Sequence, residues 1–160
     1  MKNLLLMRHA TTAEKVPGQT DLERVLTPWG ERQAVEAGAW LQAQQLQPEL
    51  VMRSPAVRTE ATLAGVFKGL ATQAPVQVER EIYYGTETEL RELIQNAEDS
   101  VGTLLLIGHN PVLSHLASLL TAEHLSFAPA TVAWLHFPET SWQALRPDSC
   151  VLVQLFMASL

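Results

Sequence analysis

The chain predicts an α/β fold: a three-layer sandwich with a mostly parallel central sheet, helices on both faces, and antiparallel strands at its C-terminal end. Three observations carry this reading. A short apolar run followed by a helix-start signal occurs four times in succession. Two of those runs show no polar alternation, as strands covered on both faces require. The last two apolar segments follow one another with no helix between them. The elements fill one domain over 1–160, with no boundary, repeat or low-complexity segment.

Asn3 to Met7 is the first strand, an apolar run without turn residues. Arg8 to Leu26 is polar, carries Pro17, Gly18 and Asp21, and is long for a connection inside a compact domain, a length typical of functional loops. Thr27-Pro28 gives an N-cap hydroxyl with Pro at the first helical position, and Gly30, Ala34, Ala37 and Leu41 form a small-residue stripe that predicts close packing against a sheet. Leu50 to Met52 is the second strand. Ser54-Pro55 repeats the cap-plus-Pro signal, with Ala61, Ala64 and Phe67 on the helix face. Val76 and Val78 mark a third strand, and Thr86 with Glu89 makes a capping box ahead of Leu90, Leu93, Ile94 and Ala97. Thr103 to Ile107 is the most apolar strand, and Asn110-Pro111 opens a helix carrying Val112, Leu116, Leu119 and Leu120. Thr131 to Phe137 and Val151 to Phe156 finish the sheet.

Composition narrows the function classes. A net charge of −6 disfavours nucleic acid and anionic membrane as partners. The N-terminal apolar run is too short for a secretory signal, and no apolar stretch could span a bilayer, so the chain is expected to be cytoplasmic. Cys150 is the only cysteine, which excludes disulfides within the chain and Cys-based zinc sites. Eight of the eleven basic residues are Arg, whose planar fork matches phosphate.

Sheets of this class bind ligands beyond the carboxyl ends of their strands. Arg8-His9 follows the first strand, Ser54-Pro55-Ala56-Val57-Arg58 the second, and Gly108-His109-Asn110-Pro111 the Thr103 to Ile107 strand. Together they make an anion site in which Arg8, Arg58 and a protonated His109 neutralise a phosphoryl group without metal or cofactor, and a neutral His9 attacks phosphorus. The catalytic pair is thus His9 and His109, and the phosphate-binding pair Arg8 and Arg58.

These motifs resemble the histidine phosphatase superfamily, which includes phosphoglycerate mutases and acid phosphatases. The similarity runs through Arg8-His9-Ala10, the segment from Leu26 to Ala34, Ser54 to Thr59, and Gly108 to Pro111. It implies that His9 is the nucleophile and that Arg8, Arg58 and His109 bind phosphate. Ala10 departs from the usual Gly, and Arg53 stands where a small residue is commoner. Only 51 positions separate Arg58 from His109, leaving no room for an inserted cap domain. The short form is similar to phosphohistidine phosphatases of the SixA type, which implies a phosphorylated protein as partner. A small phosphorylated metabolite is the alternative, because Glu81-Ile82-Tyr83-Tyr84-Gly85 resembles the segment in which mutase-like members carry a proton-donating Glu.

Other readings weigh less. Arg24 reads as a solvated loop residue that could reach substrate. His115, His124 and His136 read as structural, and Trp29, Trp40, Trp134 and Trp142 as packing residues. A metal hydrolase built on His9 and His109 is disfavoured by the adjacent Arg8 and Arg58, and a phosphate-recognising domain without turnover is the non-enzymatic alternative.

Overall fold

A computed structural model describes residues 1–159. Its strands are β1 (Lys2–Arg8), β2 (Leu50–Arg53), β3 (Val76–Val78), β4 (Thr103–Gly108), β5 (Val132–Phe137) and β6 (Val151–Phe156). They form one sheet in the order β3-β2-β4-β1-β5-β6. The first four run parallel, and β5 and β6 pair antiparallel with their neighbours. The helices are α1 (Pro28–Ala43), α2 (Val57–Leu70), α3 (Glu81–Tyr84), α4 (Glu87–Gln95) and α5 (Val112–Thr121).

The period-two geometry of the strands builds two cores. Leu5, Met7, Val51, Leu105 and Ile107 pack with Ala34, Ala37, Leu41, Leu63 and Val66 of α1 and α2. Leu4, Leu6, Met52, Leu104 and Leu106 pack with Leu90, Ile94, Leu113 and Leu116 of α4 and α5. Leu4 to Met7 and Leu104 to Ile107 are fully buried. Each such side chain contributes about 1.5–3 kcal/mol relative to exposure.

Thr27 caps α1 by accepting from the Gly30 amide at 2.9 Å. The small-residue stripe divides otherwise than expected: Gly30 closes on the Thr11 backbone of the loop after β1 and Ala34 on Gly65 of α2, Ala37 and Leu41 join the core shared with the sheet, and the neighbouring glycines bring α1 and α2 into near backbone contact. A Cβ at Gly38 would lie 2.1 Å from the Val66 carbonyl oxygen, and one at Gly69 2.0 Å from that of Val35.

The second helix differs from expectation. It starts at Val57 with Ala56 as its cap residue and no side-chain cap bond, so Ser54 is not the cap. Its buried face holds Thr59, Thr62, Leu63, Val66 and Leu70, whereas Ala64 is exposed. The Thr hydroxyls donate to backbone carbonyls, Thr59 to those of Ser54 and Ala56 and Thr62 to that of Arg58, and so go inside satisfied. Helix α3 and the 3₁₀ turns Asp21–Glu23 and Trp142–Ala144 have no counterpart in the sequence reading. Trp142 is fully buried, and its indole N–H donates to the Val101 carbonyl at 2.9 Å.

Helices α1 and α5, which follow β1 and β4, cover opposite faces of the sheet. β1 and β4 are adjacent and in register, Arg8 beside Gly108. The crevice beyond their carboxyl ends is therefore the topological switch point where such sheets bind ligands. Among the described residues no helix is long and apolar enough to cross a membrane.

Candidate active site

Because Arg8 pairs with Gly108 in the sheet, His9 and His109 leave adjacent strands at the same level, and their ring centroids lie 5.2 Å apart. The structure thus brings together the two histidines predicted from separate motifs.

His9 is 8% exposed, and its Nδ1 lies 2.8 Å from the Ala10 carbonyl oxygen. A carbonyl only accepts, so Nδ1 carries the hydrogen and donates it, leaving the lone pair on Nε2. Burial pushes the His9 pKa down to about 4, with the charges of Arg58, Arg8 and Arg24 adding to it against the opposing bond to Ala10. At neutral pH His9 is an uncharged base with a fixed tautomer. Ala10 itself is fully buried with an ordinary negative φ, so its Cβ fits where a glycine is usual.

His109 is also neutral. Burial first, and then the charges of His9 and Arg58, lower its pKa to about 3. The expectation of a protonated His109 is therefore corrected: a third cation beside two arginines, desolvated against His9, is too costly here. Its Nε2 lies 2.7 Å from Ser54 Oγ, and its Nδ1 is buried without a partner.

Arg58 enters from the first turn of α2 and is buried. A buried guanidinium needs a counter-charge, and Asp21 supplies it from the tip of the loop after β1. Arg58 Nη1 donates to the Asp21 carbonyl at 2.7 Å and Nη2 to its carboxylate at 3.0 Å. The Tyr83 hydroxyl donates a short hydrogen bond to the same carboxylate oxygen. That bond first, and Arg58 with Arg24 after it, hold Asp21 near a pKa of about 2 against the opposing effect of burial. Tyr83 also meets the His109 ring edge-on at 5.3 Å.

Arg24 belongs to this network. It donates to Thr12 Oγ1 at 2.7 Å and pairs with Asp21 at 3.4 Å, holding the loop in shape. Arg8 donates to the Phe127 carbonyl at 3.0 Å. Two of the three arginines, Arg24 and Arg58, share the one Asp21 carboxylate, while Arg8 is held by a backbone carbonyl, which leaves a positive surplus in an acidic protein. The Nε atoms of Arg8 and Arg58 are buried without partners, like Nδ1 of His109. Orphaned polar atoms of this kind cost about 1–3 kcal/mol each, and three of them gathered around His9 suit an anion.

The remaining predicted residues fall outside this cluster. Arg53 pairs with Glu60 at 3.1 Å and so adds no free charge. Glu81 opens α3 but makes no hydrogen bond or ion pair with the cluster among the described residues. His115 and His124 are exposed and His136 is half-buried on β5. Asp21, Ser54 and Tyr83 were not singled out as site residues from sequence. The signal for Asp21 was present: an arginine inside a fold requires an acidic partner, and the long loop offers one.

Comparison with known proteins agrees with this geometry. The model of the histidine phosphatase superfamily, branch 1, matches residues 4–100. An uncharacterized protein of Mycobacterium tuberculosis is 36% identical over 127 residues, covering 79% of this chain and 76% of that protein. A phosphohistidine phosphatase SixA homolog of Haemophilus influenzae is 28% identical, covering 96% and 99%. Among solved structures, a candidate SixA phosphohistidine phosphatase from Nakamurella multipartitia superposes with a TM-score of 0.89 at 27% identity, covering 99% of this chain and 97% of that one. The protein histidine phosphatase SixA in complex with tungstate shares the fold at a TM-score of 0.83 and 23% identity, covering 98% and 96%. With the family model matched over more than half of its length, the chain belongs to the histidine phosphatase superfamily.

Proposed function

We propose that this chain is a phosphohistidine phosphatase that works through a phosphorylated His9 and needs neither metal nor cofactor. The observation that carries the reading is the set of three buried nitrogens without partners, on Arg8, Arg58 and His109, beside a histidine whose Nδ1 is held by the Ala10 carbonyl. The Nε2 lone pair of His9 attacks phosphorus while the bond to the leaving group breaks and the electron pair departs with that group. The arginines and an N–H of His109 hold the oxygens, on which charge must be stabilised. Water then attacks the phosphorus of phospho-His9, the P–N bond breaks, and inorganic phosphate leaves.

The leaving group decides the substrate class. An alkoxide needs a proton donor, whereas the imidazole of a phosphohistidine leaves with less help. The titratable groups of the cluster are engaged: His109 is neutral, Asp21 is held ionised, and the Tyr83 hydroxyl donates its hydrogen to Asp21. The similarity to SixA-named proteins supports the same class.

A second reading, hydrolysis of small phosphomonoesters, draws on Glu81, which opens the helix that brings Tyr83 to His109. Turnover of a phosphohistidine peptide and of a phosphomonoester panel by wild type and Glu81→Gln separates the two. The proposal expects preference for the peptide and little effect of Glu81→Gln; ester preference with strong dependence on Glu81 selects the second reading. In either case His9→Ala should reduce turnover by at least about 10³-fold, and undiminished activity would overturn the mechanism.

A further inference from the structure

We propose that Ser54 is a positioning residue that sets which ring nitrogen of His109 carries its hydrogen, so that His109 offers the phosphoryl group an N–H and not a lone pair. The inference rests on the phosphatase reading and deepens it.

The argument starts from the charge state. A neutral imidazole has one N–H and one lone pair, and a phosphoryl oxygen is attracted to the first and repelled by the second. His109 has Nε2 against Ser54 Oγ at 2.7 Å, so Nδ1, buried and otherwise without a partner, is the nitrogen left for a ligand. Whether Nδ1 bears the hydrogen depends on whether Ser54 donates to Nε2 or accepts from it.

The surroundings of Ser54 bear on that choice. Ser54 is fully buried, so bulk water does not compete for its hydroxyl. Oγ accepts from the Ala56 amide at 3.2 Å. The Thr59 hydroxyl stands 3.0 Å away and has two nearer acceptors, the carbonyls of Ser54 and Ala56, each at 2.8 Å. The hydrogen of Ser54 can therefore go to Thr59 Oγ1 or to His109 Nε2. In the first case Nε2–H must donate to Ser54 and the Nδ1 lone pair faces the anion. In the second, Ser54 donates to Nε2 and Nδ1–H faces it. Facing an anion among Arg8, Arg58 and His109, only the second arrangement gives both ring nitrogens a partner, and the Ser54 hydroxyl, by donating to Nε2, is what holds it.

The test reads the tautomer directly. With inorganic phosphate at saturation, the ¹⁵N shifts of His109 in wild type should report Nδ1–H. Ser54→Ala leaves Nε2 without a donor, so it should bind phosphate more weakly, show His109 shifts moved toward Nε2–H at phosphate concentrations that saturate the wild type, and lower kcat/KM by about 10²-fold, the scale of one oxyanion donor. Ser54→Thr, which keeps the hydroxyl, should restore the wild-type shifts. Thr59→Val is the control for stability: it removes hydrogen bonds from the same buried network and should leave the tautomer unchanged. Nε2–H in phosphate-bound wild type, or Nδ1–H retained in Ser54→Ala, would overturn the assignment. Because the shifts do not depend on turnover, a protein that hydrolyses no phosphorylated substrate yet shows Nδ1–H refutes the phosphatase reading while the assignment of Ser54 stands.

Discussion

The interior and the carboxyl ends of β1 and β4 are built on opposite terms. Over Leu4 to Met7 and Leu104 to Ile107 every side chain is apolar and fully buried. One residue further along β1, and two along β4, begin Arg8, His9 and His109, with buried nitrogens that lack partners or hydrogens fixed by a single carbonyl. The difference teaches that stability and chemistry share strands but not residues. A site that leaves polar atoms unsatisfied costs stability, and the apolar core directly beneath it offsets that cost.

If the two regions divide the work in this way, substitutions in them should have opposite signatures. Arg58→Ala should show the largest effect on activity, about 10²–10³ in kcat/KM, with a smaller loss in urea midpoint than core truncation, because its partner Asp21 is half-exposed and can turn to water. Equal losses of activity and stability would break the comparison. Leu105→Ala should do the reverse. It should cost about 2–5 kcal/mol in denaturant unfolding, while the turnover per folded molecule stays close to wild type.

The pH dependence sharpens the same contrast. His9 and His109 titrate in the fold near about 4 and about 3, below the ordinary histidine value. The unfolded chain therefore binds more protons between those values and about 6.5, so stability is greatest above about 6.5 and falls as pH drops through the window. His9→Gln should flatten part of this slope in urea titrations, and ¹H NMR should place the His9 inflection well below 6.5. The smallest effect belongs to Asp21. Held near about 2 by Tyr83 and Arg58, its carboxylate favours the fold above the ordinary carboxylate range, and that contribution disappears as pH falls from about 4 toward about 2. Asp21→Asn should remove it and raise KM several-fold by loosening Arg58, with kcat less affected.

The sequence made the scaffold legible because hydrophobic runs, caps and strand ends are local signals. The four candidate residues Arg8, His9, Arg58 and His109 could be picked out for the same reason: each lies at or a few positions beyond a strand end. What escaped was set by tertiary pairing. Ser54 looked like a helix cap, and only the adjacency of β2 and β4 turns its hydroxyl to His109. Tyr83 lies on a one-turn helix too short to leave a periodic pattern, and Asp21 meets Arg58 across 37 positions of sequence. The charge of His109 escaped the sequence reading because burial, invisible in sequence, and the charges of His9 and Arg58 act in the same direction to keep it neutral.

The central claim is that phosphorus is transferred to Nε2 of His9. Rapid quenching of wild type during turnover, followed by peptide mapping, tests it most directly. The account predicts an acid-labile phosphate on His9 that is absent from His9→Ala. Phosphate trapped on another residue, or turnover with no phosphoenzyme in wild type and undiminished rate in His9→Ala, would contradict it.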